Sequence, residues 1–549
     1  MTRPMLRRWR TATAAGLFLA LVAAACGDDS ASDTGSTTPT TAGPGNTAVV
    51  STTAAATTAP SDVDPNGVLK IGLDLTPGTV GLQFDPIKTI SPSTPEHLFI
   101  YHTLLRAQTD GTYTTGFAKS ATVVDPQTIK VELFPNIKFT DGTALDSEAA
   151  KFSIERNAAS KSAAAFGVEL QQLDTVQVDS PTQFTIKLKT PVAGIFYTYL
   201  SRGETAIVSP TAVKNGVDLN TKPVGAGPFM LESFTPGASV KLVKNPTFFE
   251  ASKIRLAGVE YLHVPAAAQA TAMKSGNVDA IDNLQTTTAK QIAQPGLTVR
   301  TVLSDSVHAW SPLCKKDVPL SDVKVRQALN YAIDRDAINN VVFDGKSEPM
   351  WGLFGSKNPY YDASLKDIYK RDVNKAKQLL AEAGYPQGFK MTFLVTPGDS
   401  QTISEIVQQQ WKDIGVELSL QPSPNIVSDF FTPGKPPAQP GYFFLLQRAG
   451  LDKVTRSFMP GGSGNVCDWN DPVVNQLADK IRAVSPTSDD AKTYWKQMQQ
   501  EIFAQVPNVF TVFGAVSNAY SDRVGNPQFI FSFAGVPFID AVTVYIKKK

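Results

Sequence analysis

The sequence predicts an α/β body of more than one domain, carried behind an unstructured leader. Three observations predict it. A strand, a helix and a second strand follow one another from Lys390 to Leu420. About 480 residues lie beyond the leader, too many for one hydrophobic core, so two or three domains are expected. From Asp28 to Asn66 the chain is almost all Ser, Thr, Ala, Pro, Gly and Asp, without one aromatic residue. Such a stretch cannot bury enough apolar surface to offset its ordering entropy.

The leader begins as an export signal. Arg3, Arg7, Arg8 and Arg10 precede an apolar run from Ala12 to Ala25 that stops at Cys26. That run is far shorter than the roughly 20 residues needed to span a bilayer. Val22-Ala23-Ala24-Ala25-Cys26-Gly27 resembles a bacterial lipobox, with Ala23 standing where Leu is usual. Residues 1–25 are therefore expected to be a signal peptide and 26–67 a disordered linker lipidated at Cys26; plain cleavage near Ala25 is the alternative. A flexible stalk of this length reaches some 35 Å on average, taking roughly 5 to 6 Å times the square root of its length.

The body then reads element by element. Val68 to Asp74 alternates apolar with small or polar residues and runs into Thr76-Pro77-Gly78, a strand leading to a loop. Thr128 to Leu133 reads as a strand, and so does Gln183 to Leu188 after the Ser180-Pro181 turn. Between them Asp146-Ser147-Glu148 opens a helix through about Asn157, its acidic first turn suited to the positive end of the helix dipole. A further helix is expected from Ser321 as N-cap, because Val325, Ala328, Leu329, Ala332 and Ile333 recur at helical spacing while Lys324, Arg326, Asn330 and Asp334 face elsewhere. Asp372 caps the next, with Val373, Ala376, Leu379, Leu380 and Ala383 as its stripe, Gly384 as its left-handed stop and Pro386 just beyond.

In the signature that follows, Lys390 to Val395 reads as a strand. Ile403, Ile406, Val407, Trp411 and Ile414 line one helix face, Gly415 ends that helix, and Val416 to Leu420 alternates as a second strand. A helical crossover implies a parallel pair with a right-handed connection. Helices near Pro472 to Val484 and Asp489 to Gln505 extend this lobe, and short strands such as Val542 to Ile546 close the chain.

Composition excludes several functions. The formal charge is +1, but the signal holds four arginines and no acid, leaving 47 basic against 50 acidic residues, a net of about −3. Nothing in that balance suggests nucleic acid. Lys547-Lys548-Lys549 reads as a solvated tail. Neither Cys314 nor Cys467 has a Cys or His at ligand spacing, and His97, His102, His263 and His308 form no zinc pattern, so no metal or other cofactor is expected. In an oxidising compartment one cysteine pair permits one connectivity, so a Cys314–Cys467 disulfide is expected, with two unpaired thiols as the alternative.

Motifs for a nucleophile elbow, a zinc protease, a phosphate loop and Cys-x-x-Cys are all missing. Ser321-Asp322-Val323-Lys324 matches Ser-x-x-Lys, but its companion elements are absent, Lys189-Thr190 being followed by Pro191. It reads as a helix cap.

Several segments together resemble one family, the large extracellular solute-binding proteins of ABC importers that take dipeptides, oligopeptides and nickel. Leu133 to Asn157 is similar to the family's strand, Asp-Gly turn and helix ending in Ser-x-x-Arg. Pro223 to Phe229, Asn245 to Phe249, Ser275 to Asp279, Asp322 to Ile338 and Asn374 to Pro386 follow in the family's order. The resemblance implies a two-lobed periplasmic-binding-protein-like fold of the cluster C type with an extra subdomain, closing on solute by hinge motion.

By that pattern lobe I takes 68–110, 221–303 and 521–549, with an inserted subdomain at 111–220, and lobe II takes 304–520. Gly225 and Gly227 are expected to supply permissive backbone geometry, and Arg326 an ion pair or hydrogen bonds within its lobe.

The resemblance further implies a lipid-anchored, monomeric receptor on the outer face of the cell membrane. It would hand a small-molecule or peptide solute to an ABC permease and ATPase complex, and would catalyse nothing. A solute-sensing lipoprotein without a transport role, or a surface hydrolase on the same scaffold, are the rival readings. Candidate ligand contacts are Phe84 in the early cleft loop, Trp310 just past the first hinge crossing, and Trp351 in a Gly- and Pro-bounded loop; each can instead fill a core gap. Arg448 and Asp452 stand where peptide binders of the family carry a Gly-Trp-x-x-Asp stretch, which this chain lacks. Either can meet an opposite charge on the solute, or face solvent. Cys314 and Cys467 both depart from the family pattern within lobe II, which favours a bond between them.

Overall fold

A computed structural model describes the chain from residue 60 to residue 548, apart from 76–83, 89–93, 109–111, 161–167, 285, 314–318, 424–428, 431–440, 448–449, 461, 463–464, 466–468 and 532–536. Cys26, Cys314, Cys467 and Arg448 lie outside the described residues. The stretch that composition assigns to the stalk is already laid on the body at its end. Val63 bridges to Lys547, the Asp64 N–H donates to the Ile546 carbonyl, and the Lys548 N–H donates to the Asp62 carbonyl. The backbones of Lys547 and Lys548 are therefore paired.

The first strand is β1 (Val68–Leu73), and the first helix the short α1 (Pro95–Tyr101). A separate antiparallel sheet follows, made of β2 (Ala118–Asp125), β3 (Thr128–Leu133), β4 (Leu173–Ser180) and β5 (Gln183–Leu188) in the order β2-β3-β5-β4. It carries α2 (Ser147–Ala158), capped by the Asp146 carboxylate on the Ala149 N–H, and α3 (Ala193–Tyr199). The chain then returns through a meander of β6 (Phe229–Thr235), β7 (Ser239–Lys244) and β8 (Gly258–His263). β8 lies parallel to β1, and so does β9 (Ala280–Leu284) on β1's other edge.

After α4 (Thr286–Gln291) comes β10 (Leu297–Pro312), a 16-residue strand about 50 Å long at roughly 3.3 Å per residue. The helix expected from Ser321 is present, and a second follows it directly. The Asp322 side chain, not Ser321, caps α5 (Val323–Tyr331), and Asp334 caps α6 (Arg335–Phe343). Val325, Ala328, Leu329, Ala332 and Ile333 are all fully buried, in a core that Ile338, Val342 and Phe343 of α6 share. The Lys324 ammonium stands 3.1 Å from Glu382 at the surface, engaged there rather than with Ser321.

α7 (Val373–Glu382) ends before Gly384, whose φ is +90°. β11 (Lys390–Val395), α8 (Asp399–Lys412) and β12 (Glu417–Pro422) form the expected unit, β11 and β12 pairing in parallel. Its core is set by Trp411, fully buried, whose indole N–H donates to the Leu329 carbonyl at 3.0 Å. β13 (Gly441–Gln447) adds to the other edge of β11, again in parallel. Three helices follow, α9 (Gly450–Phe458), α10 (Pro472–Ala483) and α11 (Asp489–Gln505), and then the long β14 (Asn508–Ser521). Near the end only Tyr545–Ile546 is extended, where a strand from Val542 was expected.

The large sheet has ten strands in the order β12-β11-β13-β10-β14-β9-β1-β8-β7-β6. The antiparallel β10 and β14 join its two halves. β14 pairs with β9 through Ser517–Tyr520, opposite the start of β10, whereas β13 pairs with β10 through Val307–Trp310 near its end. The β10–β14 register breaks between Ser304 and His308.

Three signature residues have sharper roles than sequence suggests. Gly225 and Gly227 do not have positive φ. They let the chain approach α1, since a Cβ would lie 2.2 Å from the Ile100 carbonyl oxygen at 225 and 2.4 Å from that of Phe99 at 227. Arg326 makes hydrogen bonds alone, donating to the carbonyls of Leu320, Ser321, Gln505 and Val506 and so tying the end of α11 to the start of α5.

Candidate solute-binding site

Open α/β sheets bind ligands outside the carboxyl ends of their parallel strands. Here two such sets of ends face each other. β1, β8 and β9 run antiparallel to β14, and β11 and β13 run antiparallel to β10. Because β10 and β14 are themselves antiparallel, the first set points toward the second. Leu284, at the end of β9, sits through Ser517 at the level of Thr301, and Gln447, at the end of β13, at the level of Val307. The six intervening steps of β10 leave about 20 Å between the strand ends. That is the space of a cleft, and the register break falls inside it.

On the first-lobe side, residues 84–88 and then α1 follow β1. Asp85 is held by a two-pronged ion pair, Arg156 Nη1 and Nη2 donating to its two carboxylate oxygens at 2.9 and 2.8 Å, and its N–H donates to Asn220 Oδ1. The loop is thereby fastened to the end of α2, a use of the Ser-x-x-Arg arginine that its helix position alone did not reveal. Phe84 is fully buried, edge-on to Phe234 at 5.3 Å and tilted on His97 at 5.8 Å. In this arrangement it offers no surface to a solute.

Below lies a group of buried polar side chains that sequence reasoning missed. Neither carboxyl oxygen of Glu96 has a well-formed hydrogen bond, and the hydroxyls of Tyr101 and Tyr261 have none. Asp282 accepts from Asn518 Nδ2 at 2.9 Å and from the Ile539 N–H, but its second oxygen is bare. Burial pushes both acids up to about 7, against the smaller opposing effect of nearby donors. Burial likewise holds the Tyr261 phenol protonated, with Glu96 and Asp282 adding to the effect. Glu96 follows Pro95 and reads as an ordinary first-turn acid, so nothing local marks it as buried.

A small cavity near the other end of α1 is lined by His102, Thr103, Arg106, Ser201 and Asp540 and has room for little more than one water. Arg106 pairs with Asp540 at 2.9 Å, and burial lowers His102 to about 3, which keeps its ring neutral against Phe117 and Phe248.

On the second-lobe side Trp351 is partly buried, with the Arg335 guanidinium 4.8 Å over its ring. That arginine is 2% exposed and donates to the Asn330 and Tyr369 carbonyls and to Asn330 Oδ1. Trp310 lies in β10, its backbone paired with Phe444 of β13 and Phe510 of β14, and Asp452 lies in α9; the side chains of both are outside the described residues. Phe84 lies in the hydrophobic core and Trp351 packs against that same core. Among the described residues no group of three or more His, Cys, Asp or Glu side chains is arranged to hold a metal ion, and no helix is long and apolar enough to cross a membrane.

Comparison with known proteins matches this architecture. Residues 112–433 match the model of the bacterial extracellular solute-binding proteins, family 5. The chain is 26% identical over 431 residues to the glutathione-binding protein GsiB of Pectobacterium atrosepticum, covering 74% of this chain and 82% of that one. The structure of AgaA from A. tumefaciens R10, in complex with agropinic acid, superposes with a TM-score of 0.70 at 26% identity, over 88% of this chain and 99% of that one. The oligopeptide-binding protein AppA of Bacillus subtilis, in complex with a nonapeptide, shares the fold at a TM-score of 0.69 and 21% identity, over 88% and 100%. With more than half of its length matched by the family model, this chain belongs to the bacterial extracellular solute-binding proteins, family 5.

Proposed function

We propose that this chain is the receptor of an ABC importer: exported, anchored at Cys26, and closing its two lobes on a small peptide or other polar solute that it delivers to a permease. The observation that carries the reading is the pair of opposed strand ends, spanned by β10 and β14 and separated at the register break. A solute touching both sides favours the closed form by its differential affinity for that form. We place the hinge at 304–308 on β10 and at about 513–514 on β14, earlier on the second strand than a division at 520/521. The inserted subdomain is taken as 111–220. Trp310, Trp351, Arg448 and Asp452 are proposed as solute contacts, and a Cys314–Cys467 bond as a brace of the second lobe. No reaction is assigned.

The relatives named above bind glutathione, agropinic acid and a nonapeptide, which supports an amino-acid-derived solute. Thermal-shift screening with glutathione, short peptides and opine-type acids tests this. A true ligand adds about 2.7 kcal/mol of stability at a hundredfold excess over its dissociation constant. Failure of every class, together with no small molecule in the mass spectrum of the purified protein, refutes solute capture. Replacing Cys26 with Ala should release the protein from membranes. A thiol assay on the folded protein should find neither Cys314 nor Cys467 reactive, and one of them reactive after Cys467→Ala.

A further inference from the structure

Gly194 is the second residue of α3, and its φ is not in the left-handed region, so its backbone does not demand glycine. Within a helix glycine is the less favourable choice, by up to about 1 kcal/mol against alanine. The reason for it lies opposite. A Cβ at 194 would stand 1.8 Å from the carbonyl oxygen of Val484, 2.8 Å from its carbon and 3.0 Å from the carbonyl oxygen of Arg482. Those atoms are the closing backbone of α10, Val484 being its C-cap. Backbone cannot turn aside as a side chain can. Seating a methyl there needs α3 and α10 to part by roughly 1.5 Å to reach ordinary contact distance.

The two helices lie on opposite sides of the proposed hinge, α3 in the inserted subdomain and α10 in the second lobe. The two helices are in contact, and Ala193, Ile195 and Phe196 of one and Leu477, Ala478 and Ile481 of the other are buried in the same cluster. At another point the same division is crossed by two polar contacts among the described residues. The Thr286 N–H donates to Asp399 Oδ2 at a long 3.4 Å, and Lys290 pairs with Asp344 at 2.9 Å with both side chains nearly half exposed. Exposed pairs of this kind contribute little. Where α3 meets α10, by contrast, backbone closes directly on backbone.

We propose that Gly194 is the closure-setting position of this receptor: the bare Cα lets the end of α10 seat on α3, and any side chain there holds the lobes short of full closure without unfolding either. The proposal rests on the hinge reading given above. A residue in this role positions the lobes and touches no solute.

The test is single-molecule energy transfer on the full chain, with dyes carried by azidophenylalanine at the exposed positions Thr190 and Gln476, without and with glutathione as probe. Wild type should show a near and a far population. Gly194→Ala should reduce the near population about tenfold or more, with Gly194→Val at least as severe, while the melting midpoint stays within about 2 °C. If wild type shows two distances and Gly194→Ala reproduces them, the gate is refuted and the hinge stands. If wild type shows a single distance, the hinge itself is refuted. A Gly194→Ala protein that melts much earlier or does not fold makes α3 and α10 one permanent core, which also overturns the proposal.

Discussion

Glu96→Gln isolates the energetic effect of one buried acid. Glu96 is 1% exposed, neither of its oxygens is well hydrogen-bonded, and burial raises it from 4.5 to about 7. A rise of that size is a penalty of about 3 kcal/mol on the ionised form. The folded state holds the proton more tightly than the unfolded chain, so the stability associated with it is complete below about pH 4.5. It is lost as the pH climbs to about 7 and stays lost above that. Glutamine has the same shape and no charge to acquire. Urea unfolding followed by tryptophan fluorescence at pH 4.5, 6, 7 and 8 should give similar stabilities at the acid end. At pH 8 the variant should be the more stable by up to about 3 kcal/mol. Asp282, also raised to about 7, imposes a decline of the same sign on both proteins and cancels in the comparison. Parallel pH profiles, or a variant weaker at pH 8, would mean that the carboxylate is paired or hydrated in the folded protein and would refute the reasoning.

Three further outcomes are expected. Arg156→Lys cannot reproduce the two-pronged grip on the 5%-exposed Asp85 side chain and should cost about 1–3 kcal/mol, and Arg156→Ala about 3–5 kcal/mol, both read by urea unfolding. Trp411→Phe removes the indole donor to Leu329 and leaves a void in the second-lobe core, a loss of about 1–3 kcal/mol by the same assay. Gly388→Ala should destabilise by more than about 1 kcal/mol and speed hydrogen exchange in β11 and β12, because φ there is +74° and a Cβ would meet the Gly415 carbonyl oxygen at 2.0 Å.

Much of the fold was legible where a clear period met a sharp stop. The strands Thr128–Leu133, Gln183–Leu188 and Lys390–Val395 and the helix Asp489–Gln505 agree at both ends, each bounded by Pro, Gly, Asp or a change of period. The stripe from Val325 to Ile333 was readable, but not its cap, because periodicity reports the buried face and does not choose between Ser321 and Asp322. The need for Gly225 was visible and its cause was not, since the carbonyl it approaches belongs to Ile100, far back in the chain. The site was less legible still. Glu96, Tyr261 and Asp282 come from a helix and two strands, and only the folded arrangement makes their desolvation evident. Gly194 is silent in sequence for the same reason.

The lacing of the chain's two ends has a consequence for its birth. β1 is synthesised about 440 residues before β14, which closes the edge of its sheet beyond β9, and Val63 and Asp64 wait longer still for Lys547 and Ile546. At roughly 5–20 residues per second the earliest-made lobe stays unfinished for about half a minute to a minute and a half, while the unit from Lys390 to Pro422 has all its partners near at hand. In such a chain the first lobe is the part left waiting for its partners, and loss of the Lys547 and Ile546 pairing would leave Val63 and Asp64 unlaced.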